Sequence, residues 1–595
     1  MTRPPAFDPI TLEVLRGAFD VVADEMELVL LRSSHSTIIN EALDATCAIF
    51  DAKGRTVAQA VSLPVHLGVL VEVGKRLAAH YPEGEASKGD LYVFNDPYDG
   101  GTHLPDIAIA APVLHDGTLA GYVVTMSHHS DVGGSAPGSV APNPVDHLAE
   151  GLRLPLVRLA TGGETNTDVI EIIEANTRTP AAMRGDLAAQ MSACHLGAER
   201  FESIVERWGR KTVDSAIEAL MDHAETLTRA EIAKIPDGNY EFTDWLDDDG
   251  GSPPSEPLPF TVTVGVSGSD IHFDFTGTAP QVPTSFNNVP ASTLSACYFV
   301  VRTLAGDRAP NNDGCYRPIT AHLPKGTIVN PDFPAPVAAR STGLLRVSSA
   351  VQGAMVLAAP ERFNAANCGQ TSLLPVGGHD PEKGEDFVGV IGGPWRGGLG
   401  ARPGKDGIDV TDTDMSNVYH VPIEATEALL PLRFNRLSLW PDSGGAGKWR
   451  GGLGYEAEIE WLRGRGLVSL RRDRHVIPPW GTKGGLDGPV SHTAVRRADG
   501  TTEQIPSKGM LYLEAGDVLL LKTTGSGGYG SPLERDPTVV LEDVLDGRVS
   551  MNAAREIYGV VVVDGAVKLE ATQKTRRRLG ARSHEDPPEG DPEKR

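Results

Sequence analysis

No stretch of this chain approaches the apolar length of a membrane span, and its basic residues fall well short of its acidic ones. Across 595 residues, 54 Lys and Arg stand against 79 Asp and Glu, a formal net charge of −25. That balance argues against nucleic acid and anionic membrane surfaces as partners, because both are held through a basic footprint. Cysteine is scarce as well. The five thiols, Cys47, Cys194, Cys297, Cys315 and Cys368, are scattered without a CxxC pair. They therefore offer neither a thiolate zinc site nor a redox couple, and an odd, dispersed set is expected to stay reduced. The opening MTRPPAFDPITLEV lacks the apolar centre of a signal peptide, so a cytoplasmic setting is expected.

A nucleotide loop is also missing. Ser443–Gly454, SGGAGKWRGGLG, has Asp442 where a phosphate loop needs its first glycine and Trp449 where it needs Ser or Thr. Gly525–Gly530, GSGGYG, matches GxGxxG in letters, but Ser531-Pro532-Leu533 follows in place of an opening helix. A structural glycine turn is the better reading.

What is present is a globular composition, 40% hydrophobic, with 66 Gly and 44 Pro that favour turns and loops over a helical bundle. The length is too great for one core, and roughly two to four domains are expected. Asp8–Arg32 opens on Asp-Pro and carries Ile10, Val14, Leu15, Phe19 and Val22 at helical spacing. Ala45–Phe50 and Thr56–Ala60 flank a DAKG turn as a hairpin, with Asp44 at its head. His66 precedes a helix reaching about Ala79, and residues 168–235 read as helices. After Asp237 the pattern changes to strands, with one best helix at Ser292–Leu304, and from about Val410 it becomes glycine-rich with short strands. The fold class expected is a mixed α/β (α+β) multidomain chain. Its parts are 1–237 with a metal site, 238–408 as a central α/β region, 409–582 as a β-rich part with closing helices, and a disordered 583–595 tail.

The informative stretch is Asn95–His129. Asp96, Asp99 and His103 fill a turn-rich run, and a hairpin follows: Ile107–Val113, a turn at His115-Asp116-Gly117, then Leu119–Met126. If paired residues sum to about 232, Asp106 lies opposite position 126 or so and His103 near 129. His103, Asp106 and the His128-His129 pair then meet at one exposed end of the hairpin. Alternation puts His128 on the face of Asp106, and a one-residue slip would choose His129 instead. Such residues commonly cap turns. Two imidazoles and a carboxylate at one strand end are also what a divalent metal with open positions requires. Asp44 is either a strand-entry turn residue, a further ligand or a general base. Asp131–Arg158, rich in Gly and Pro, is a candidate cover for the metal.

DATCAIFD, PVHLG, NDPYDGGTHLPD, SHHSDVGG, NTRTP with GDLAAQ, DFTGTAPQ, VIPPWG and GSGGYG together resemble the hydantoinase B/oxoprolinase family. The resemblance runs from Asp8–Gly17 to Tyr558–Val562. It implies one divalent transition metal, zinc or manganese, held by His103, Asp106 and His128. Asp44 would act beside it as the catalytic carboxylate, with His66, His129 and Asp131 as outer partners. It also implies a hydantoinase A-type partner that binds ATP with Mg, in a hetero-oligomer such as a dimer of heterodimers. The implied activity is ATP-dependent opening of a cyclic amide that the partner has phosphorylated. A ketone carboxylase subunit is the alternative, and a non-catalytic structural subunit the second. The family more often has an aromatic residue and Ser after the Asp of DATC, which puts the shape of the pocket there in question.

Overall fold

The computed structural model describes residues 7–81, 84–392 and 396–585. The first helix, α1 (Pro9–Ser33), starts where Asp8 accepts a hydrogen bond from the Thr11 amide at 2.9 Å and Pro9 presets the first turn. Leu15, Phe19, Val22, Ala23, Met26 and Leu30 form its buried stripe, while Ile10 and Val14, expected on that stripe, face outward. A short α2 (Thr37–Asn40) leads into β1 (Ala45–Asp51) and β2 (Thr56–Gln59), and α3 (Leu67–His80) follows. Then come β3 (Leu91–Phe94), the hairpin β4 (Asp106–His115) and β5 (Thr118–His128), and β6 (Val157–Thr161) with β7 (Glu164–Thr165). These strands make a seven-stranded sheet in the order β2-β1-β5-β4-β3-β6-β7.

Helices cover both faces of that sheet. Ile107 and Ile109 point into a core shared with α1 and with α5 (Pro180–Trp208), which follows α4 (Thr167–Ala175) and precedes α6 (Arg210–Ile232). Ala108 and Ala110 point the other way, where Val69, Leu70 and Val73 of α3 pack. The alternation of large and small residues in β4 thus serves two buried faces, the small side chains letting α3 come close.

The β4–β5 turn has Asp116 at φ 49° and Gly117 at φ 75°, the two left-handed residues of a type I′ hairpin. A bulge between Val113 and Leu114 then adds one to the register. Paired residues along most of the hairpin consequently sum to 234 rather than 232, as in Asp106↔His128 and Ala110↔Val124. The expected register is corrected by two residues. Because the error is even, the face assigned to each side chain stands.

A four-stranded sheet, β11-β10-β9-β8, follows, built from β8 (Gly238–Leu246), β9 (Leu258–Ser267), β10 (Asp270–Asp274) and β11 (Ile319–His322). It packs with α7 (Pro290–Ala305) and α8 (Arg340–Ala358). Sequence periodicity does not reveal α8, whose buried residues lie all round the helix and leave no polar stripe. Two further sheets pack face to face around Leu374, Trp461, Val468 and Leu519. One has the order β13-β12-β16-β19, from β12 (Leu374–Asp380), β13 (Glu385–Ile391), β16 (Arg465–Arg471) and β19 (Lys508–Glu514). The other has the order β14-β15-β20-β17-β18. Its strands are β14 (Leu432–Leu439), preceded by α9 (Ile423–Leu429), then β15 (Tyr455–Trp461), β17 (His492–Arg496), β18 (Thr502–Gln504) and β20 (Val518–Lys522).

The two glycine-rich stretches that imitate nucleotide loops lie against each other. Gly445 donates to Ser526 at 2.7 Å, Gly525 to Ser443 at 3.0 Å, and Trp449 and Tyr529 exchange bonds at 3.0 Å. A Cβ on Gly525 would lie 2.2 Å from the Ser443 carbonyl, so glycine is there for close backbone contact. The chain closes with α10 (Pro537–Leu545), α11 (Met551–Glu556) and α12 (Leu569–Glu585). Residues 583–585, expected in a disordered tail, continue α12, and 586–595 lie outside the described residues.

Gly121 of β5 tests how tightly β1 and β5 are joined. A Cβ there would meet the Phe50 carbonyl at 2.1 Å and the Phe201 ring at 2.9 Å. Gly121→Ala is expected to cost about 1–3 kcal/mol of stability, the usual penalty of overpacking, read from denaturant unfolding. An unchanged midpoint would contradict this packing.

Candidate metal centre

The site begins with a row of residues across three strands. Asp106 stands opposite His128 in the β4–β5 pairing. The His128 amide donates to the Asp44 carbonyl at 3.0 Å, one step beyond the Ala45↔Ser127 pair of β1 and β5. Alternation turns Asp106, His128 and Asp44 to the α3 face of the sheet. His129 points the other way and meets Gln190 of α5 through Nε2 at 3.0 Å. His103 comes from the turn before β4, and His66 from the turn before α3.

Ligand atoms of His103, Asp106 and His128 all lie within 4.8 Å of one another. The His103 ring is oriented by Nδ1, which donates to the Ala338 carbonyl at 2.9 Å and leaves Nε2 as a bare lone pair without a hydrogen-bond partner. That nitrogen faces Asp106 Oδ1 at 3.3 Å. Asp106 Oδ2 is otherwise engaged: it accepts from Arg340 at 2.8 Å and from the Thr102 hydroxyl, and His66 Nε2 stands 3.7 Å away. His66 is itself tied to Thr46 through Nδ1 at 2.9 Å. One carboxylate oxygen is thus held by the protein and the other is left toward the histidines.

Electrostatics support the same division. Burial pushes both His103 and His128 below the ordinary histidine range, keeping them neutral, which a metal ligand must be. Burial opposes charge on Asp106 too, yet its carboxyl is held well below the usual range, with the Arg340 guanidinium bonded to it. Asp44 keeps part of its surface open to the cavity. Burial first, and then the charge of Asp106, push its carboxyl up to about 8, against the pull of Arg340 and Arg396. Two neutral imidazoles, an ionised carboxylate and an orphaned nitrogen fit a divalent transition metal.

The site is not at an exposed strand end, as the sequence suggested. His103 is 3% exposed, Asp106 2% and His128 9%. The cover does not come from residues 131–158, none of which lines the cavity. Asp131 holds that segment's own loops, accepting from the amides of Gly133, Gly138 and Arg178 and from the Arg178 guanidinium at 2.8 Å. The cover is α8 and the segment around 396–418. They wall a partly open cavity of about 70 Å³ in which Leu63, Val65, Leu344 and Met415 form an apolar side. Arg340, Arg396 and Arg471 supply a cationic wall that the sequence does not announce. These arginines lie hundreds of residues from the hairpin, and no local spacing links them to it.

Residues 8–532 match the hydantoinase B/oxoprolinase family. The chain belongs to that family. It is 36% identical, over 96% of its length, to 98% of a Pseudomonas sp. (strain NS671) protein that is provisionally named as the B component of a D-/L-hydantoinase. The crystal structure of ATP-dependent caprolactamase from Pseudomonas jessenii superposes with a TM-score of 0.89 at 32% identity, covering 96% of this chain and all of that one. Acetone carboxylase, in its nucleotide-free structure, matches with a TM-score of 0.88 over 98% of this chain and 84% of its own, at 20% identity, a likeness of fold alone. The beta subunit of a caprolactamase from Pseudomonas jessenii is 34% identical over 95% of this chain and 97% of its own length, and it and the hydantoinase relative are both named as subunits. Among the described residues no helix is long and apolar enough to cross a membrane.

Glu150 sits behind the site. Its Oε1 accepts from the amides of Val337 and Ala338 at 2.8 and 2.7 Å, and His147 holds its Oε2 at 2.7 Å. The carbonyl of the same Ala338 orients His103. Glu150→Gln should loosen that backbone and weaken metal affinity roughly 10- to 100-fold, as loss of an outer partner does, measured by titrating metal-free protein with zinc. Unchanged affinity would show that His103 does not depend on this support.

Proposed function

We propose that this chain is the metal-dependent ring-opening subunit of an ATP-dependent cyclic-amide hydrolase of the hydantoinase or 5-oxoprolinase type. Its substrate is activated by phosphorylation on a hydantoinase A-type partner that binds ATP with Mg. The observation that carries the reading is the buried His103–Asp106–His128 cluster with Asp44 beside it, in a chain of this family. The three residues would hold one divalent ion, zinc or manganese, with Arg340 and Thr102 bracing Asp106 and His66 an outer partner 3.7 Å from it. Such an ion, when bound, supplies Lewis-acid polarisation of a carbonyl and lowers the pKa of water in its shell.

The chain's own groups do the rest. Asp44, facing the cavity beside the cluster, accepts a proton from the attacking water and returns one to the leaving nitrogen, and a second water then releases the phosphoryl group of the resulting acyl phosphate as inorganic phosphate. Arg340 keeps Asp106 ionised and aimed. The apolar side formed by Leu63, Val65, Leu344 and Met415 receives the ring's methylenes and excludes bulk water. Nothing on the two glycine-rich stretches is open to a nucleotide, because each is the other's packing partner. This agrees with ATP being handled elsewhere in the assembly. The ketone carboxylase alternative rests on shared fold and gains no residue of its own here.

Two outcomes are expected. The purified chain alone should neither hydrolyse ATP nor open a lactam or hydantoin, while addition of the partner subunit should give turnover coupled to ATP. Coupled turnover by the chain alone would contradict the division of labour. In the reconstituted complex, Asp44→Asn should keep its metal and lose roughly 10²- to 10⁴-fold in turnover, the usual worth of a general base. Near-normal turnover would reduce Asp44 to a turn residue, and lost metal would make it a ligand.

A further inference from the structure

The cationic wall of the cavity has more charge than the fold uses. Arg340 gives Nη2 to Asp106, but its buried Nε has no partner. Arg396 is paired through Nε with Asp412 at 2.8 Å. Arg471, the last residue of β16, is 5% exposed and makes one long bond, from Nε to the Leu373 carbonyl at 3.4 Å. Its two terminal nitrogens have no hydrogen-bond partner among the described residues, and the side chain lines the cavity. Burying a guanidinium without a carboxylate against it is costly. Burial and the neighbouring Arg396 and Arg340 push Arg471 down to about 9, with Asp44 opposing them. The position is held rather than incidental, since Thr342 of α8 donates to the Arg471 carbonyl at 2.9 Å.

We propose that Arg340, Arg396 and Arg471 form an oxyanion subsite that takes the phosphoryl group of the activated substrate beside the His103–Asp106–His128 cluster. This rests on the ring-opening reading above and adds the residues that recognise the activated group. Guanidinium forks match the oxygens of a phosphoryl group, and three of them converge here. The charges agree as well. The three arginines face three carboxyls, Asp44, Asp106 and Asp412, so a divalent ion at the cluster leaves a surplus of positive charge that a phosphoryl dianion neutralises. About 70 Å³ admits on the order of five waters at about 10–15 Å³ each, the room that a phosphoryl group needs. Arg471 is the least committed of the three.

The test is calorimetric titration of the full-length chain, zinc-loaded and chelator-treated, with inorganic phosphate, phenyl phosphate and acetate. The expected result is one site shared competitively by phosphate and phenyl phosphate, with acetate far weaker. Arg471→Met should weaken phosphate roughly 10- to 100-fold, the loss of a charge-assisted pair, and Arg471→Lys should weaken it less. Both variants should keep the wild-type melting curve and metal content. That dependence should persist in the chelator-treated protein. Phosphate affinity indifferent to Arg471, or abolished by chelation alone, would overturn the subsite. So would affinity for free phosphate without affinity for the monoester, since the site would then take only the released ion. The two readings fail separately. ATP-coupled ring opening without phosphate affinity sinks the subsite and leaves the enzyme, whereas phosphate affinity without turnover on any cyclic amide does the reverse.

Discussion

The register between β1, β5 and β4 is the constraint on which the rest of the site depends. Asp44, His128 and Asp106 occupy adjacent positions on three neighbouring strands, fixed by backbone hydrogen bonds such as that from His128 to the Asp44 carbonyl. A slip of one residue between β4 and β5 would present His129 in place of His128 and turn the imidazole away to α5. The sheet is protected against that slip because both of its faces are buried. Ile107 and Ile109 fit only under the long helices, Ala108 and Ala110 only under α3.

Holding several ionisable groups in a buried cavity is expensive, and the structure offsets the cost by giving most of them a defined partner. Asp106 has Arg340 and Thr102, His66 has Thr46, and His103 has the Ala338 carbonyl, which Glu150 holds in place from behind. Among the groups these bonds leave over are the His103 lone pair, one Asp106 oxygen, the Arg340 Nε, the Asp44 carboxyl and the Arg471 terminal nitrogens. Polar groups left open together inside a cavity mark where ligands enter.

The hairpin, α1, the helical run after residue 168 and the strands of the second sheet were legible because each carries its own periodicity or turn signal. The face of His128 was legible too, since alternation survives an error of two residues. The bulge opposite Val113/Leu114 was not, because nothing in TLAGY announces Ala120 as an extra residue. Helix α8 was hidden by its uniform burial, and with it the identity of the cavity's cover. Residues 131–158 looked like a lid from composition alone. Their glycines instead let the loop fold back on Asp131 and Arg178. Arg340, Arg396 and Arg471 had no local signal at all. They reach the site through tertiary packing, so that the hairpin half of the pocket was readable from sequence and the opposing wall was not.

The central claim is that one face of the hairpin binds a metal. Its most direct test is elemental analysis of the chelator-free, full-length protein beside His128→Ala and His129→Ala, each checked for an intact cooperative melt. The account predicts about one divalent transition metal per chain in the parent and in His129→Ala, and none in His128→Ala. A parent protein without metal, or a folded His128→Ala that keeps it while His129→Ala does not, would contradict the account.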